Sequence, residues 1–274
     1  TTKQIEVQPV RLIPNLKTGD EGALTSIFLS TVKLVKEYRD SIFKELKLSR
    51  SGKVYYYREV KFDDIDSNSR VDGLILIVVK GVIQDAVFFE MKNKNNGIDV
   101  IQIEKYGKLA KDLKVKKLVT ISNEFVADSN HSPVTAKISK TIELFHFSWT
   151  YLLTQGQLLL FKNDNNIQDE DQVEIMREAL YYFEDTSSGI SGYHQMKPGW
   201  KEMCIAIGAE KSIPLSDKNL EEAVLSWHEE EKDIALKLSR ELGVLVKSSH
   251  KTSGSLKIDK QRLIKDKKIN GLLS

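Results

Sequence analysis

The first half of the chain begins with a helical pattern of hydrophobic positions and then changes to strand patterns. Residues 18–46 start with a capping Asp20 and then place apolar side chains at helical intervals, which predicts one amphipathic helix. The apolar face of this helix comprises Leu24, Phe28, Val35, Tyr38 and Ile42. The next apolar stretches are rich in β-branched and aromatic residues, so the chain is expected to pass from a helix into strands.

Three such stretches, at residues 53–62, 70–79 and 85–94, are separated by short polar segments and predict three strands. Residues 98–113 return to helical spacing, and residues 116–125 form another short apolar run. A helix between two strands is typical of a crossover connection in a parallel or mixed sheet. The predicted fold class is therefore α/β, with a mixed β-sheet core flanked by helices.

The pattern becomes mainly helical after about residue 163. A strand running into a helix is predicted at 141–153, before this change. The later helical segments are 169–185, 197–210 and 217–243. The predicted divisions are a core at 1–162, a mainly helical C-terminal subdomain at 163–248 and a basic tail at 249–274. The helical region is expected to pack on the core, to form a homodimer or to bind a partner protein.

Composition narrows the class of protein without naming a function. The 274 residues are 41% hydrophobic and 29% charged, as in a soluble globular protein, and the formal net charge is +2. This charge is too small to indicate a nucleic-acid partner, although a near-balanced total can hide a basic face. The tail has seven basic and two acidic residues from residue 251 onward, which suits either an arm for a polyanion or a simply charged chain end.

Several classes of site and location are disfavoured. The single cysteine excludes an internal disulfide and a cysteine-based zinc cluster, and it fits a reducing compartment, so we expect a cytoplasmic protein. No run of about 18 apolar residues is present, and no membrane partner is expected. The five histidines lack paired metal-ligand spacing, and no phosphate-binding glycine loop is found.

One predicted strand carries charged residues where the pattern requires buried ones. In residues 85–94 the period of two places Glu90 and Lys92 on the same face as Phe88. The preceding strand carries Asp72, which a hairpin can bring beside Glu90. Two converging carboxylates repel each other, and a divalent cation such as Mg²⁺ would remove that repulsion. The structural alternative is an ion pair between Glu90 and Lys92 at a strand end, with Asp72 capping a turn.

This arrangement resembles the PD-(D/E)XK nuclease superfamily, which has the restriction-endonuclease-like fold. The resemblance covers roughly residues 15–125 and depends on Asp72, on Glu90-Met91-Lys92 and on the following helix, although Val71 stands where the family name has proline. It implies that Asp72, Glu90 and the carbonyl of Met91 bind Mg²⁺, for which Mn²⁺ can substitute. It also implies that Lys92 assists the water that attacks phosphorus.

Two further elements extend the resemblance. Gln102 and Tyr106 are four residues apart on one helical face, as in the QxxxY element of RecB-like and Cas4-like nucleases, where it helps to hold the active site or the DNA end. Glu21, in the first turn of the first helix, matches a glutamate that supports the metal site in many members, often through water, so the resemblance implies that Glu21 belongs to the Mg²⁺ site. The alternatives are a hydrogen-bonded pair at the rim of the core for Gln102 and Tyr106, and a favourable helix-dipole interaction for Glu21.

The sequence therefore predicts a metal-dependent nuclease that hydrolyses phosphodiester bonds, with DNA as the expected substrate. Defence, repair and mobile-element processing are the biological settings that the resemblance implies. The alternative function is a non-catalytic nucleic-acid-binding or assembly protein on the same scaffold.

Overall fold

The computed structural model describes residues 6–9, 19–62, 67–126, 132–161 and 166–247. The strands are β1 (Glu6–Pro9), β2 (Lys53–Phe62), β3 (Ser67–Val79), β4 (Val82–Met91), β5 (Lys117–Ser122) and β6 (Glu143–Ser148). The helices are α1 (Glu21–Leu34), α2 (Lys36–Glu45), α3 (Val100–Asp112), α4 (Trp149–Phe161), α5 (Glu170–Glu184), α6 (Pro198–Gly208) and α7 (Lys218–Leu242), with a 3₁₀ turn at Thr186–Ser188. The predicted basic tail at 249–274 lies outside the described residues.

The described strands form one sheet in the order β1-β2-β3-β4-β5-β6. Strands β1 to β4 are antiparallel neighbours, whereas β5 and β6 are parallel to β4. Helix α3 provides the crossover between β4 and β5, as parallel pairing requires. The predicted α/β class with a mixed sheet and flanking helices is thus confirmed.

Two hydrophobic clusters cover the two faces of the sheet. The larger cluster joins Val87, Phe89 and Met91 of β4 to side chains of α1, α2, α4 and α5. The smaller cluster joins Phe88, whose side chain points the other way, to residues of α3. Strand β4 is therefore covered on both faces, so a charged side chain on it must be desolvated.

The single helix predicted over residues 18–46 is instead two helices, broken at Val35. This residue is fully buried and has an extended backbone, with φ −101° and ψ 107°. The break turns α2 so that Tyr38 packs edge-on against Phe28, with ring centroids 6.5 Å apart. The side-chain oxygen of Gln172 accepts the N–H of Lys36 at 2.7 Å, which satisfies one free donor of the new helix.

The helices after residue 163 divide into two groups. Side chains of α5, including Val173, Met176 and Phe183, belong to the larger core cluster of the sheet. Helices α6 and α7 pack on each other around a separate small cluster, which contains Met203 and Leu220. The boundary between a core and a helical subdomain stays a prediction, and α5 shares the core of the sheet. Within the described ranges, no helix is long and apolar enough to cross a membrane.

Candidate active site

The hairpin of β3 and β4 brings the two predicted acids together. Gly73 pairs with Phe89 in the antiparallel register, and continuing that register by one residue places Asp72 opposite Glu90. The Glu90 side chain is 0% exposed, whereas Asp72 is partly exposed. Glu90 is thus enclosed in the protein, whereas Asp72 is partly accessible to solvent.

Lys92 connects this pair to a third acid. Its Nζ atom lies 2.7 Å from Oε1 of Glu90 and 3.6 Å from Oε2 of Glu21. The other carboxylate oxygen of Glu21 accepts a hydrogen bond from Nδ2 of Asn96 at 2.8 Å. Glu21 is the first residue of α1, so this helix brings its acid to the end of β4. The structure therefore brings Glu21, Asp72, Glu90 and Lys92 to one place.

The backbone at the end of β4 is fixed by three hydrogen bonds. The N–H of Met91 donates to Oδ2 of Asp72 at 2.8 Å, and the N–H of Lys92 donates to the carbonyl of Ile121 at 2.8 Å. The indole Nε1 of Trp149 donates to the carbonyl of Lys92 at 2.7 Å. Trp149 is buried at the start of α4. Nothing in the sequence indicated this contact.

Gln102 and Tyr106 form no hydrogen bond with Lys92. They connect α3 to β3 instead. Nε2 of Gln102 donates to the hydroxyl of Tyr106 at 2.9 Å, and that hydroxyl donates to the carbonyl of Arg70 at 2.5 Å. Burial, followed by the charge of Glu90, raises the pKa of Tyr106, so the hydroxyl keeps its proton and remains a donor. The pair thus fixes the backbone two residues before Asp72.

The two acids of the hairpin resist simultaneous ionisation. Burial and then the charge of Asp72 raise the pKa of Glu90, and the charge of Lys92 offsets part of that rise. Burial also raises the pKa of Asp72, while the N–H of Met91 and the charge of Lys92 oppose the rise. Burial lowers the pKa of Lys92, but the surrounding carboxylates outweigh burial, and the net shift is upward. Additional positive charge would relieve this repulsion.

The donor atoms at this place fit a hard cation. The buried carboxylate of Glu90 has the ammonium of Lys92 beside Oε1 and the hydroxyl of Tyr106 nearby, and among the described residues no other donor forms a well-aligned hydrogen bond with it. Mg²⁺ is bound through one or two carboxylates, completed by water and phosphate oxygens. In the described part of the chain no group of three or more His, Cys, Asp or Glu side chains is arranged to hold a metal ion by itself. Asp72 and Glu90 would therefore be the two carboxylate ligands.

Polar side chains extend from this pair across the sheet in a single row. Glu90 pairs in register with Thr120, and Thr120 pairs with His146. The hydroxyl of Thr120 lies 2.9 Å from Nδ1 of His146, whose Nε2 lies 2.8 Å from the carbonyl of Glu124. Burial lowers the pKa of His146 to about 4, so its ring is neutral at pH 7. The histidine spacing in the sequence contained no signal for this row.

The loop after α5 contacts the residues that follow Lys92. Nδ2 of Asn93 donates to the carbonyl of Ser188 at 3.0 Å, and the N–H of Lys94 donates to the carbonyl of Gly189 at 2.9 Å. Gly189 has φ +77°, and a Cβ atom there would lie 2.5 Å from Cγ of Lys94. Glycine is thus required at 189 by both conformation and space. Nothing in the sequence indicated that this segment would contact the site.

Comparisons of the chain with protein-family models, curated proteins and solved structures found no match.

Proposed function

We propose that the protein is a Mg²⁺-dependent nuclease of the PD-(D/E)XK type that hydrolyses phosphodiester bonds, with DNA as substrate and Mn²⁺ as an alternative cofactor. The observation that supports this proposal best is the desolvated carboxylate of Glu90 facing Asp72 across the hairpin. Burying two acids side by side costs stability. A cation held by both acids would offset this cost, whereas folding alone does not explain why the acids are placed side by side.

Each residue has a role that follows from its position. Asp72 and Glu90 would hold the metal, with the carbonyl of Met91 as a further ligand. When bound, the metal would neutralise charge that develops on the phosphate. Lys92, 2.7 Å from Glu90, would orient and polarise the water that attacks phosphorus. Glu21, 3.6 Å from Lys92, would limit the directions in which its ammonium can move.

The supporting residues hold these groups in position. Gln102 and Tyr106 bind the carbonyl of Arg70 and so fix β3 just before Asp72. An acid held by a rigid strand needs little rearrangement when substrate arrives. Gln102 and Tyr106 are therefore expected to increase the cleavage rate by fixing the geometry of the site, and not by transferring a proton.

The decisive substitution is Asp72→Asn, which keeps the shape of the side chain and an oxygen for the N–H of Met91. It removes one of two repelling charges, so the variant should be at least as stable as the native protein. It should also lose about 100-fold or more of the cleavage rate, since a principal metal ligand is gone. Stability that is kept or gained with activity lost is typical of a catalytic acid rather than a structural one.

The assay incubates supercoiled plasmid and single-stranded DNA with Mg²⁺ or Mn²⁺. Asp233→Asn is the control, because Asp233 on α7 is a buried acid far along the chain from the site, and its Oδ2 lies 2.6 Å from Nζ of Lys237. The control variant should cleave like the native protein. If the native protein cleaves neither substrate with either metal, the nuclease proposal is wrong and the non-catalytic alternative is favoured.

A further inference from the structure

An ion pair lies directly beside the candidate active site and has no role in the proposed reaction. Nε of Arg70 lies 2.7 Å from Oε2 of Glu59. The register of β2 and β3, continued between the pairs on either side, places Glu59 opposite Asp72. Glu59 therefore extends the row of acids formed by Asp72 and Glu90 onto a third strand.

Arg70 has a fixed backbone and an accessible head group. Its carbonyl accepts the hydroxyl of Tyr106, which ties this part of β3 to α3. Its side chain is 56% exposed. Arg70 and Asp72 are two residues apart on one strand, so their Cα atoms lie about 7 Å apart. The backbone that carries the guanidinium is therefore held close to the place where a scissile phosphate would bind.

The presence of glutamate at position 59 is not explained by a contribution to folding stability. Among the described residues it is the one non-glycine residue with positive φ inside a strand, with φ +53°. Such a conformation costs about 1–3 kcal/mol, whereas a partly exposed ion pair returns about 0–1 kcal/mol. The charge of Glu59 also raises the pKa of Asp72, which is an unfavourable interaction between two acids. The net effect on folding is therefore negative.

We propose that Arg70 is a binding residue for a backbone phosphate of nucleic acid, and that Glu59 holds its guanidinium beside Asp72 until a phosphate replaces the carboxylate. A guanidinium binds phosphate through two parallel hydrogen bonds, and the 56% exposure of the Arg70 side chain leaves its head group accessible to such a ligand. Because the exposed pair is weak, exchanging one anion for another requires little energy. The inference rests on the proposed function, since it takes the ligand to be the substrate of the same site.

The test measures binding without cleavage. A fluorescently labelled single-stranded oligonucleotide is titrated with protein in EDTA at several salt concentrations, and anisotropy gives Kd. Arg70→Gln should weaken binding about tenfold, as expected when one charged hydrogen-bonding contact is lost. It should also reduce the slope of log Kd against log salt by about 0.7, the value for one phosphate of a single strand.

Two further variants make the result specific. Arg177→Gln is the matched control, because Arg177 on α5 is also 56% exposed and pairs with Glu174, and it should change neither affinity nor slope. Glu59→Gln removes the competing carboxylate and should tighten binding about threefold, a change of less than 1 kcal/mol. Circular dichroism and thermal unfolding show whether all three variants are folded.

Three results would overturn the proposal. They are an Arg70→Gln variant that binds like Arg177→Gln, a Glu59→Gln variant that weakens binding as Arg70→Gln does, and a native protein that binds no oligonucleotide. The plasmid assay separates this inference from the nuclease proposal. Binding that depends on Arg70 without any cleavage would support the phosphate site and reject the nuclease. Cleavage with unchanged binding in Arg70→Gln would do the reverse.

Discussion

Replacing Lys92 by methionine tests the electrostatics of the candidate site most directly. Methionine has nearly the length of lysine but no charge, so the buried carboxylate of Glu90 loses the ammonium 2.7 Å from Oε1. Removing one partner of a buried ion pair destabilises a protein by about 3–5 kcal/mol. Because the Lys92 side chain is 18% exposed and water reaches it in part, we expect the lower end, about 3 kcal/mol, at a pH where Glu90 is ionised in the native protein.

The sign of the pH dependence follows from the pKa of Glu90. That pKa is already raised in the folded state by burial and by Asp72, and losing Lys92 raises it further. A raised carboxyl pKa means that the folded state binds the proton more tightly than the unfolded state does. The stabilisation is complete below the unfolded pKa and is lost as pH rises towards the folded pKa. Stability should fall with a limiting slope of about 1.4 kcal/mol per pH unit for one proton, in both proteins up to the native folded pKa of about 9 and in the variant alone beyond it.

Urea unfolding at pH 6, 7, 8, 9 and 10 in EDTA measures this dependence. The loss caused by Lys92→Met should be smallest and nearly constant below about pH 8, where Glu90 is protonated in both folded proteins, and should grow above the native folded pKa of about 9. In a Glu90→Gln background the same substitution should cost less than about 1 kcal/mol at every pH, because no buried charge is left unpaired. Equal and pH-independent losses in both backgrounds would show that Lys92 acts through packing alone, and the reasoning would be refuted.

Three other predictions concern the metal, the tryptophan and the buried histidine. Mg²⁺ should raise the midpoint of thermal unfolding of the native protein, more at pH 8 than at pH 6, and should not raise that of Asp72→Asn, as scanning fluorimetry can show. Trp149→Phe removes the donor to the carbonyl of Lys92 and should lower kcat about tenfold with KM unchanged; a change in KM alone would contradict this. His146 has a pKa lowered from 6.5 to about 4, so its stabilisation is complete above pH 6.5 and is lost as pH falls, by about 2 kcal/mol at pH 5. His146→Gln should lack that loss in urea unfolding.

The sheet was largely predictable because its strands have a dense and regular pattern of residue types. The segments that became β2, β3, β4 and β5 are dense in β-branched and aromatic residues, and the turns between them are polar. Strand β1 was not predicted, since four residues at a sheet edge carry too little pattern. The break at Val35 was also missed, because its extended backbone is stabilised by contacts with distant residues and not by its neighbours in sequence.

The acids of the candidate site were found from strand periodicity, but their neighbours were not. A period of two places Glu90 and Lys92 on one face, and a hairpin brings Asp72 to them. Glu59 begins one of four Glu-x-Lys triplets in the chain, so the triplet had no discriminating value. Its position beside Asp72 depends on the exact register of β2 and β3, which a sequence does not specify to one residue.

Contacts between the site and residues far along the chain could not be predicted from the sequence. These contacts nevertheless matter most for the mechanism. Lys92 is held through its carbonyl by Trp149, 57 residues later, and Asn93 is held through its amide by Ser188, 95 residues later. Losing Trp149 removes a buried donor from the carbonyl of Lys92, whereas Nδ2 of Asn93 also donates to the carbonyl of Gly19 at 2.8 Å. Segments remote in sequence therefore determine where the ammonium of Lys92 lies relative to Glu90. It follows that substitutions around Ser188 should alter catalysis more than binding, although none of the residues there would touch the substrate.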